Sequence, residues 1–303
     1  MAVSHMNAAR AVAAGFDPAG HVLIAGPTAS GKSALALALA QDQGGVIVNA
    51  DAIQVYENWR ILTARPSEEE ERAAPHALYG HIPYDTPYSV GDWLRAVADL
   101  MRSGERLIIT GGTGLYFTAL TEGLADIPPT PPQLRAEGEA FLKDAGLDAV
   151  CATLDSETRS RIDVQNPARV MRAWEVLQTT GKGLAQWQDQ TPPPLLPLDR
   201  AQTALFDAPK DWLTPRIETR FDKMIAAGAL DEARANRATW SPDLPSAKAI
   251  GAAELIAVLR EDMSLQQATD RATILTRQFA KRQRTWFKAR MKAWSRIHPG
   301  DLA

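Results

Sequence analysis

Gly26-Pro27-Thr28-Ala29-Ser30-Gly31-Lys32-Ser33 fits the P-loop pattern G-x-x-x-x-G-K-[ST], and its flanks decide the fold. The preceding His21-Val22-Leu23-Ile24-Ala25 is a short apolar run that reads as a buried strand. The following Ala34-Leu35-Ala36-Leu37-Ala38-Leu39-Ala40 consists of strong helix formers. Strand, glycine loop and helix together turn backbone N–H groups and a helix N-terminus toward an anion. Residues Gly26 to Ser33 are therefore expected to cradle a di- or triphosphate. Lys32 would reach the outer phosphates, and the Ser33 hydroxyl would sit on Mg²⁺.

Two further runs, 45–51 and 106–110, read as buried strands, and each delivers polar groups to its carboxyl end. The first ends in Asp51; the second leads into Gly111-Gly112-Thr113-Gly114. Ligands of open parallel sheets sit outside the carboxyl ends of the strands, so Asp51 and the P-loop share one edge. Between them, 68–72 with its four glutamates reads as a solvated connector, and 79–84 as a short strand. Ser89 is the expected N-cap of a helix carrying Trp93, Val97, Leu100 and Met101.

Ile127-Pro128-Pro129-Thr130-Pro131-Pro132 and the later Pro192-Pro193-Pro194 cannot continue regular structure. The stretch between them is helical, with candidates at 133–145, 149–153, 156–162 and 167–180, the last ended by Gly181. Strand signal returns at 201–206, and helices follow at 211–227, 230–238, 249–260 and 264–293. Strands alternating with helices imply a parallel sheet covered on both faces. The expected fold is therefore α/β and P-loop NTPase-like, with a helical insertion domain. The core domain would comprise 1–126 and 196–303, and the insertion 127–195.

The chain has 303 residues, 45% hydrophobic and 23% charged, as in an ordinary globular protein. Its single cysteine, Cys151, excludes a disulfide framework or a multi-cysteine zinc site and reads as a small buried residue. No apolar run approaches a membrane span, and residues 1–20 lack a signal-peptide core, so the expectation is a cytoplasmic protein. Ser4-His5-Met6 reads as a cloning remnant ahead of a start at Met6. Net charge is only −3, yet 271–296 holds nine Lys and Arg residues and no acidic one. A basic stripe on an otherwise acidic protein suits a nucleic-acid backbone, with a solvated helix face as the alternative.

From spacing alone, the P-loop with Asp51 after the second strand fits a metabolite kinase, although no strand ends in the Asp-Glu pattern of an ATPase. The basic last helix does not suit such a kinase. A third reading is a non-catalytic RNA-binding module on a nucleotide-binding fold.

Further motifs favour one family. The P-loop, Asn49-Ala50-Asp51-Ala52-Ile53-Gln54-Val55-Tyr56, Thr63-Ala64-Arg65-Pro66 and Gly111-Gly112-Thr113-Gly114-Leu115-Tyr116-Phe117 resemble those of bacterial-type tRNA dimethylallyltransferases. So do Arg216-Ile217-Glu218-Thr219-Arg220-Phe221 and the segment Arg277 to Phe287. The resemblance implies transfer of a dimethylallyl group from dimethylallyl diphosphate to N6 of the adenosine 3′ of the tRNA anticodon, position 37; a monomer is the default expectation. It implies Asp51 as general base, with Thr28, Lys32, Arg220 and Mg²⁺ at Ser33 on the departing diphosphate. The target base would be flipped from its stack, with Gln54 reading its Watson–Crick edge. By the same resemblance Asp51, Ala52, Ile53, Gln54, Thr113, Arg135, Ala168, Arg169, Arg172, Lys248, Gly251, Gln278, Lys281 and Arg282 contact tRNA. Arg169 and Arg172 lie one turn apart, and Trp174 and Trp286 are read as core.

Four positions depart from the family pattern: Ala52 for serine, Arg65 for lysine, Asn166 for aspartate, and Ala252-Ala253 for an aromatic and a basic residue. None is Asp51, Lys32 or Arg220, so the chemistry is expected to survive. The last departure places one tRNA contact in doubt.

Overall fold

Val22 and Ile24 point to one side of the first strand and Leu23 to the other, and all three are fully buried. Only a strand with helices on both sides gives that pattern, which is why the run carries no polar alternation. In the computed structural model, which describes residues 2–302 and the side chains of 7–301, this strand is β1 (His21–Ala25). Met1 of the expected N-terminal remnant lies outside the described residues.

The chain divides into two compact units, 1–121 with 196–303, and 122–195. The first contains α1 (Ala2–Ala13), β1, α2 (Lys32–Gln43), β2 (Val46–Asn49), α3 (Glu68–Ala73), β3 (His76–Ala77), α4 (Val90–Arg102), β4 (Leu107–Gly111) and α5 (Gly114–Glu122), whose last residue enters the second unit. The second holds α6 (Pro132–Ala152), α7 (Ser156–Arg161), α8 (Pro167–Thr180) and α9 (Leu184–Asp189). The chain then returns with β5 (Ala201–Phe206), α10 (Lys210–Ala226), α11 (Ala229–Asn236), α12 (Ala252–Leu259), α13 (Leu265–Arg290) and β6 (Arg296–Ile297).

The sheet order is β3-β2-β4-β1-β5-β6, and every pairing is parallel. β1 lies at its centre, with Leu23 opposite Ile109 of β4 and Thr203 of β5. Ala9 and Ala13 of α1 and the leucines of α2 pack on Val22, Ile24, Ile47 and Ile108. The other face is buried too, and α4 is tied to that region by Trp93, whose Nε1 donates to Asn49 O (2.6 Å). Trp93 also stacks on Tyr116 of α5.

Local structure differs from expectation in several places. Residues 68–72 are helical, because Ser67 and Glu70 form a capping box and the glutamates favour a helix N-terminus. The short strand falls at His76–Ala77 rather than 79–84. Leu78 and Gly80 turn to φ +63° and +53°, which ends extension, and Ile82 keeps only an isolated bridge to Tyr56. In the second unit 133–145 and 149–153 merge into α6, broken at Gly146 (φ 83°). The helix α9 was not anticipated, and α12 begins at Ala252 because Gly251 stands at φ +98°.

The second unit has its own core, in which Trp174 and Met171 meet Val150 and Leu154. Half-buried Cys151 packs there among apolar neighbours. Asn166 caps α8 by accepting from Ala168 N (3.1 Å) and Arg169 N (3.3 Å). Asparagine and aspartate cap equally well, so this departure from the family costs the helix nothing. No helix among the described residues is long and apolar enough to cross a membrane.

A Cβ at Gly111 would overlap the Ala50 carbonyl, because β4 and the end of β2 meet there backbone to backbone. Gly111→Ala is expected to lower unfolding stability by about 1–3 kcal/mol, as overpacking does, measured by denaturant titration.

Candidate active site

The carboxyl ends of β1, β2 and β4 border a cavity of about 710 Å³. Thr28 to Ser33 line it, together with Asp51, Gln54, Arg220 and Thr110. Gly26 stays outside this lining and serves close packing: a Cβ there would lie 2.8 Å from both Phe206 Cβ and Ser30 Oγ. The loop turns through two left-handed residues, Ala29 (φ 63°) and Gly31 (φ 98°), just before α2 begins. That geometry aims the first free amides of α2 at the cavity.

Asp51 is fixed from several sides. The carboxamide of fully buried Asn49 accepts from Asp51 N (2.9 Å) and donates to Asp51 O (2.9 Å) and Leu78 O (3.0 Å). Asp51 Oδ1 accepts from Ile53 N (3.0 Å), so Asp51 heads a turn and not a helix, and Oδ2 is left for other partners. Thr113 braces the same turn, accepting at Oγ1 from Ala52 N (2.9 Å) and donating its own N–H to Ala50 O (3.1 Å). Ile53 packs into the neighbouring core beside Trp59.

Gln54 is oriented by the backbone. Its Nε2 donates to Thr63 O (2.9 Å) and Ala64 O (3.0 Å), and two carbonyl partners settle which end of the carboxamide is nitrogen. Both N–H groups are spent, so the cavity is offered an acceptor.

Charge in the cavity is mostly positive. Lys32, Arg60, Arg65, Arg216, Arg220 and Lys223 line it against only Asp51 and Glu68. Burial pushes the Lys32 ammonium down to about 8; Asp51 opposes the fall and Arg220 adds to it. Burial also lowers Arg220, again opposed by Asp51. Tyr79 is pushed up by burial and by Asp51 and Glu70, which keeps its hydroxyl protonated. The ammonium of Lys32 reaches back to Pro27 O (3.3 Å). Both cations are thus poorly solvated and gain from an anion.

Gln283 and Tyr79 are among the lining residues that sequence reasoning left unassigned, as are Arg60 and Lys223. From α13, Gln283 accepts at Oε1 from Thr28 N (2.9 Å) and donates from Nε2 to Gly112 O (3.0 Å). Its place beside basic residues gave the only signal. Glycine is required at 112 because a Cβ would strike that carboxamide, and at 114 because one would strike the Trp286 ring. Trp286 is half-buried against this turn, whereas Trp174 is core.

The remaining expected residues lie elsewhere. Gln278, Lys281 and Arg282 are exposed on α13, outside the main cavity. Of the nine basic residues at 271–296, Arg271, Arg277 and Arg296 are paired with Glu254, Glu218 and Asp207. Lys248 is exposed in a 3-10 turn. Gly251 is buried against Phe221 and Leu62, and Ala252 sits in the same core. In the second unit Arg135 and Arg172 share Glu175 (3.6 and 3.7 Å), while Ala168 and Arg169 are exposed. Arg172 also donates to Thr130 Oγ1 (3.0 Å), so it does not project freely beside Arg169.

Fold and cavity define a P-loop protein whose loop, Asp51 and two half-buried cations face a common space. Two family descriptions match the chain, "IPP transferase" over residues 54–290 and "Isopentenyl transferase" over 20–76. A tRNA dimethylallyltransferase of Ruegeria sp. is 60% identical over 278 residues, covering 92% of this chain and 95% of the relative. One from Paracoccus denitrificans is 55% identical over 295 residues, covering 95% and 98%. The solved tRNA isopentenylpyrophosphate transferase of Bacillus halodurans has TM-score 0.64 at 30% identity, covering 93% of this chain and 90% of its own. A eukaryotic dimethylallyltransferase structure has a similar fold, with TM-score 0.77 at 24% identity over 92% and 73%. The chain belongs to the tRNA dimethylallyltransferase family.

Two outcomes follow from this geometry. Affinity for an alkyl diphosphate should hold up to about pH 8 and then fall toward tenfold per pH unit, since the anion needs Lys32 protonated and its free-state value is about 8. Calorimetric titration reads this, and Lys32→Met should bind more weakly but without that slope. Gln283→Leu should cost about 1–3 kcal/mol of unfolding stability by stranding Thr28 N–H and Gly112 C=O, read by denaturant unfolding.

Proposed function

We propose that this protein transfers a dimethylallyl group from dimethylallyl diphosphate to N6 of the adenosine 3′ of the tRNA anticodon. The observation that carries the reading is the meeting of Asp51 with Lys32, Arg220 and the phosphate loop in one cavity. A kinase reading is not favoured, because the relatives that share most of this chain are named as transferases of the prenyl kind.

In this mechanism the P-loop amides, Thr28, Lys32 and Arg220 grip the diphosphate. N6 forms a bond to the allylic carbon as the carbon–oxygen bond breaks, and the electron pair leaves with the diphosphate. Charge grows on the leaving oxygens in the transition state, where partly buried cations already in place stabilise it. The N6 proton passes to the free Oδ2 of Asp51. Loss of that proton matters because the exocyclic amine is a poor nucleophile, its lone pair being delocalised into the ring.

The donor set suits Mg²⁺ held mainly by the substrate. The Ser33 hydroxyl is exposed at the loop, Thr110 Oγ1 and Ser30 Oγ are buried there without partners, and no metal-binding cluster of His, Cys, Asp or Glu occurs among the described residues. Mg²⁺ keeps several waters and takes few protein ligands, so Ser33 with diphosphate oxygens would hold it. When bound it would neutralise charge on the leaving group.

The tRNA contacts in this reading are Asp51 to Gln54 and Thr113 at the cavity; Arg135, Ala168, Arg169 and Arg172 in the second unit; and Lys248, Gln278, Lys281 and Arg282, with buried Gly251 shaping the turn after Lys248. The enzyme would act as a monomer in the cytoplasm.

Incubation with unmodified tRNA and labelled dimethylallyl diphosphate or labelled ATP tests the reading. Label should enter tRNA from the prenyl donor alone; γ-phosphate transfer to a small acceptor would overturn it. Asp51→Asn should lower kcat by about 10²–10⁴ with tRNA affinity nearly unchanged, measured by single-turnover kinetics and filter binding.

A further inference from the structure

The cavity wall between Gln54 and Pro66 has no regular secondary structure, yet its backbone is tied down by side chains from elsewhere in the fold. Glu232 of α11 accepts from three successive backbone amides: Oε1 from Arg60 N (2.6 Å) and Ile61 N (2.9 Å), and Oε2 from Leu62 N (2.9 Å). One helical turn on, Asn236 Nδ2 donates to Asn58 O (2.9 Å). The loop then enters a left-handed residue, Ala64 (φ 52°), which aims the carbonyls of Thr63 and Ala64 at the Gln54 carboxamide.

A carboxylate offers only acceptors, and three converging N–H groups satisfy it without any cation. This is what an anion does at a helix N-terminus, here supplied to a loop by a separate helix. The next two residues, Thr63 and Ala64, supply the carbonyls that take both Gln54 N–H groups.

We propose that Glu232 is a positioning residue: by clamping the amides of 60–62 it holds the Thr63 and Ala64 carbonyls so that Gln54 presents only its oxygen to the substrate amine. An exocyclic amine carries two hydrogens, and Asp51 takes one of them during reaction. Gln54 Oε1 gives the other an acceptor in the same cavity, which fixes the rotation of the amine while its lone pair turns toward carbon. The inference rests on the prenyl-transfer reading above and adds a residue outside the cavity to it.

The test is a double-mutant cycle in the full-length protein. Gln54→Leu and Glu232→Gln should each lower kcat about tenfold, roughly the worth of one hydrogen bond, with the affinity for an alkyl diphosphate unchanged within twofold. The double variant should be no slower than the slower single one. Multiplying losses, or a Glu232→Gln loss confined to alkyl diphosphate affinity, would overturn the positioning role and leave Glu232 as a plain structural brace. Amide hydrogen exchange at 60–62 should also accelerate in Glu232→Gln, and unchanged protection would overturn the clamp even if that variant is too unstable to assay. A wild-type protein that does not prenylate tRNA refutes the proposed function instead, which the exchange experiment distinguishes from failure of the clamp.

Discussion

One carboxamide ties the catalytic edge together. Gln283 belongs to the long basic helix near the end of the chain, yet it is bonded to the phosphate loop at Thr28 and to the β4 turn at Gly112. A carboxamide is suited to this place because it donates and accepts at once, so a backbone N–H and a backbone C=O are both satisfied in the interior. Around that bridge no extra atom is tolerated at Gly112, and the neighbouring Gly114 lies under Trp286. The surface that suits a polyanion and the loop that suits a diphosphate are therefore joined at a buried hydrogen-bonded centre.

The cavity beside it is built from groups denied their preferred solvation. Lys32 and Arg220 lose water on burial and recover only part of that loss from Asp51. Asp51 has one oxygen bound to Ile53 N, and its backbone is held by Asn49, so the remaining oxygen has a fixed direction. Positive charge that is poorly compensated favours a ligand bearing concentrated negative charge, and favours it more as that charge grows during bond breaking.

The basic stripe of α13 illustrates how composition overstates a surface. Nine cations and no acid along 271–296 read as one continuous footprint, but Arg271, Arg277 and Arg296 are neutralised by acids from α12, α10 and the end of β5. What stays free of such pairs includes Lys281 and Arg282, which are exposed. The same limit appears at Arg169 and Arg172, equivalent by spacing and different in surroundings, because Glu175 and Thr130 hold only the second. Partners from distant segments cannot be counted from a local pattern.

Short-range physics explains what the amino-acid sequence determined by itself. A glycine loop between an apolar strand and an alanine-leucine helix favours one arrangement, so the loop and the parallel sheet were legible directly. Ser89 starts α4 and Gly181 ends α8 as capping chemistry requires. The capping box at Ser67 was equally local and was obscured by a run of charge. Tertiary structure decided the rest, because each remaining feature depends on a contact closed over many residues. Gln283 meets Thr28 across 255 positions, and Glu232 meets the loop at Arg60 across 172. Gly251 is glycine because Phe221 and Leu62 crowd it. Hydrogen bonds and close packing of that range leave no periodicity in the chain, so the phosphate loop could be read in sequence while the frame that aims it could not.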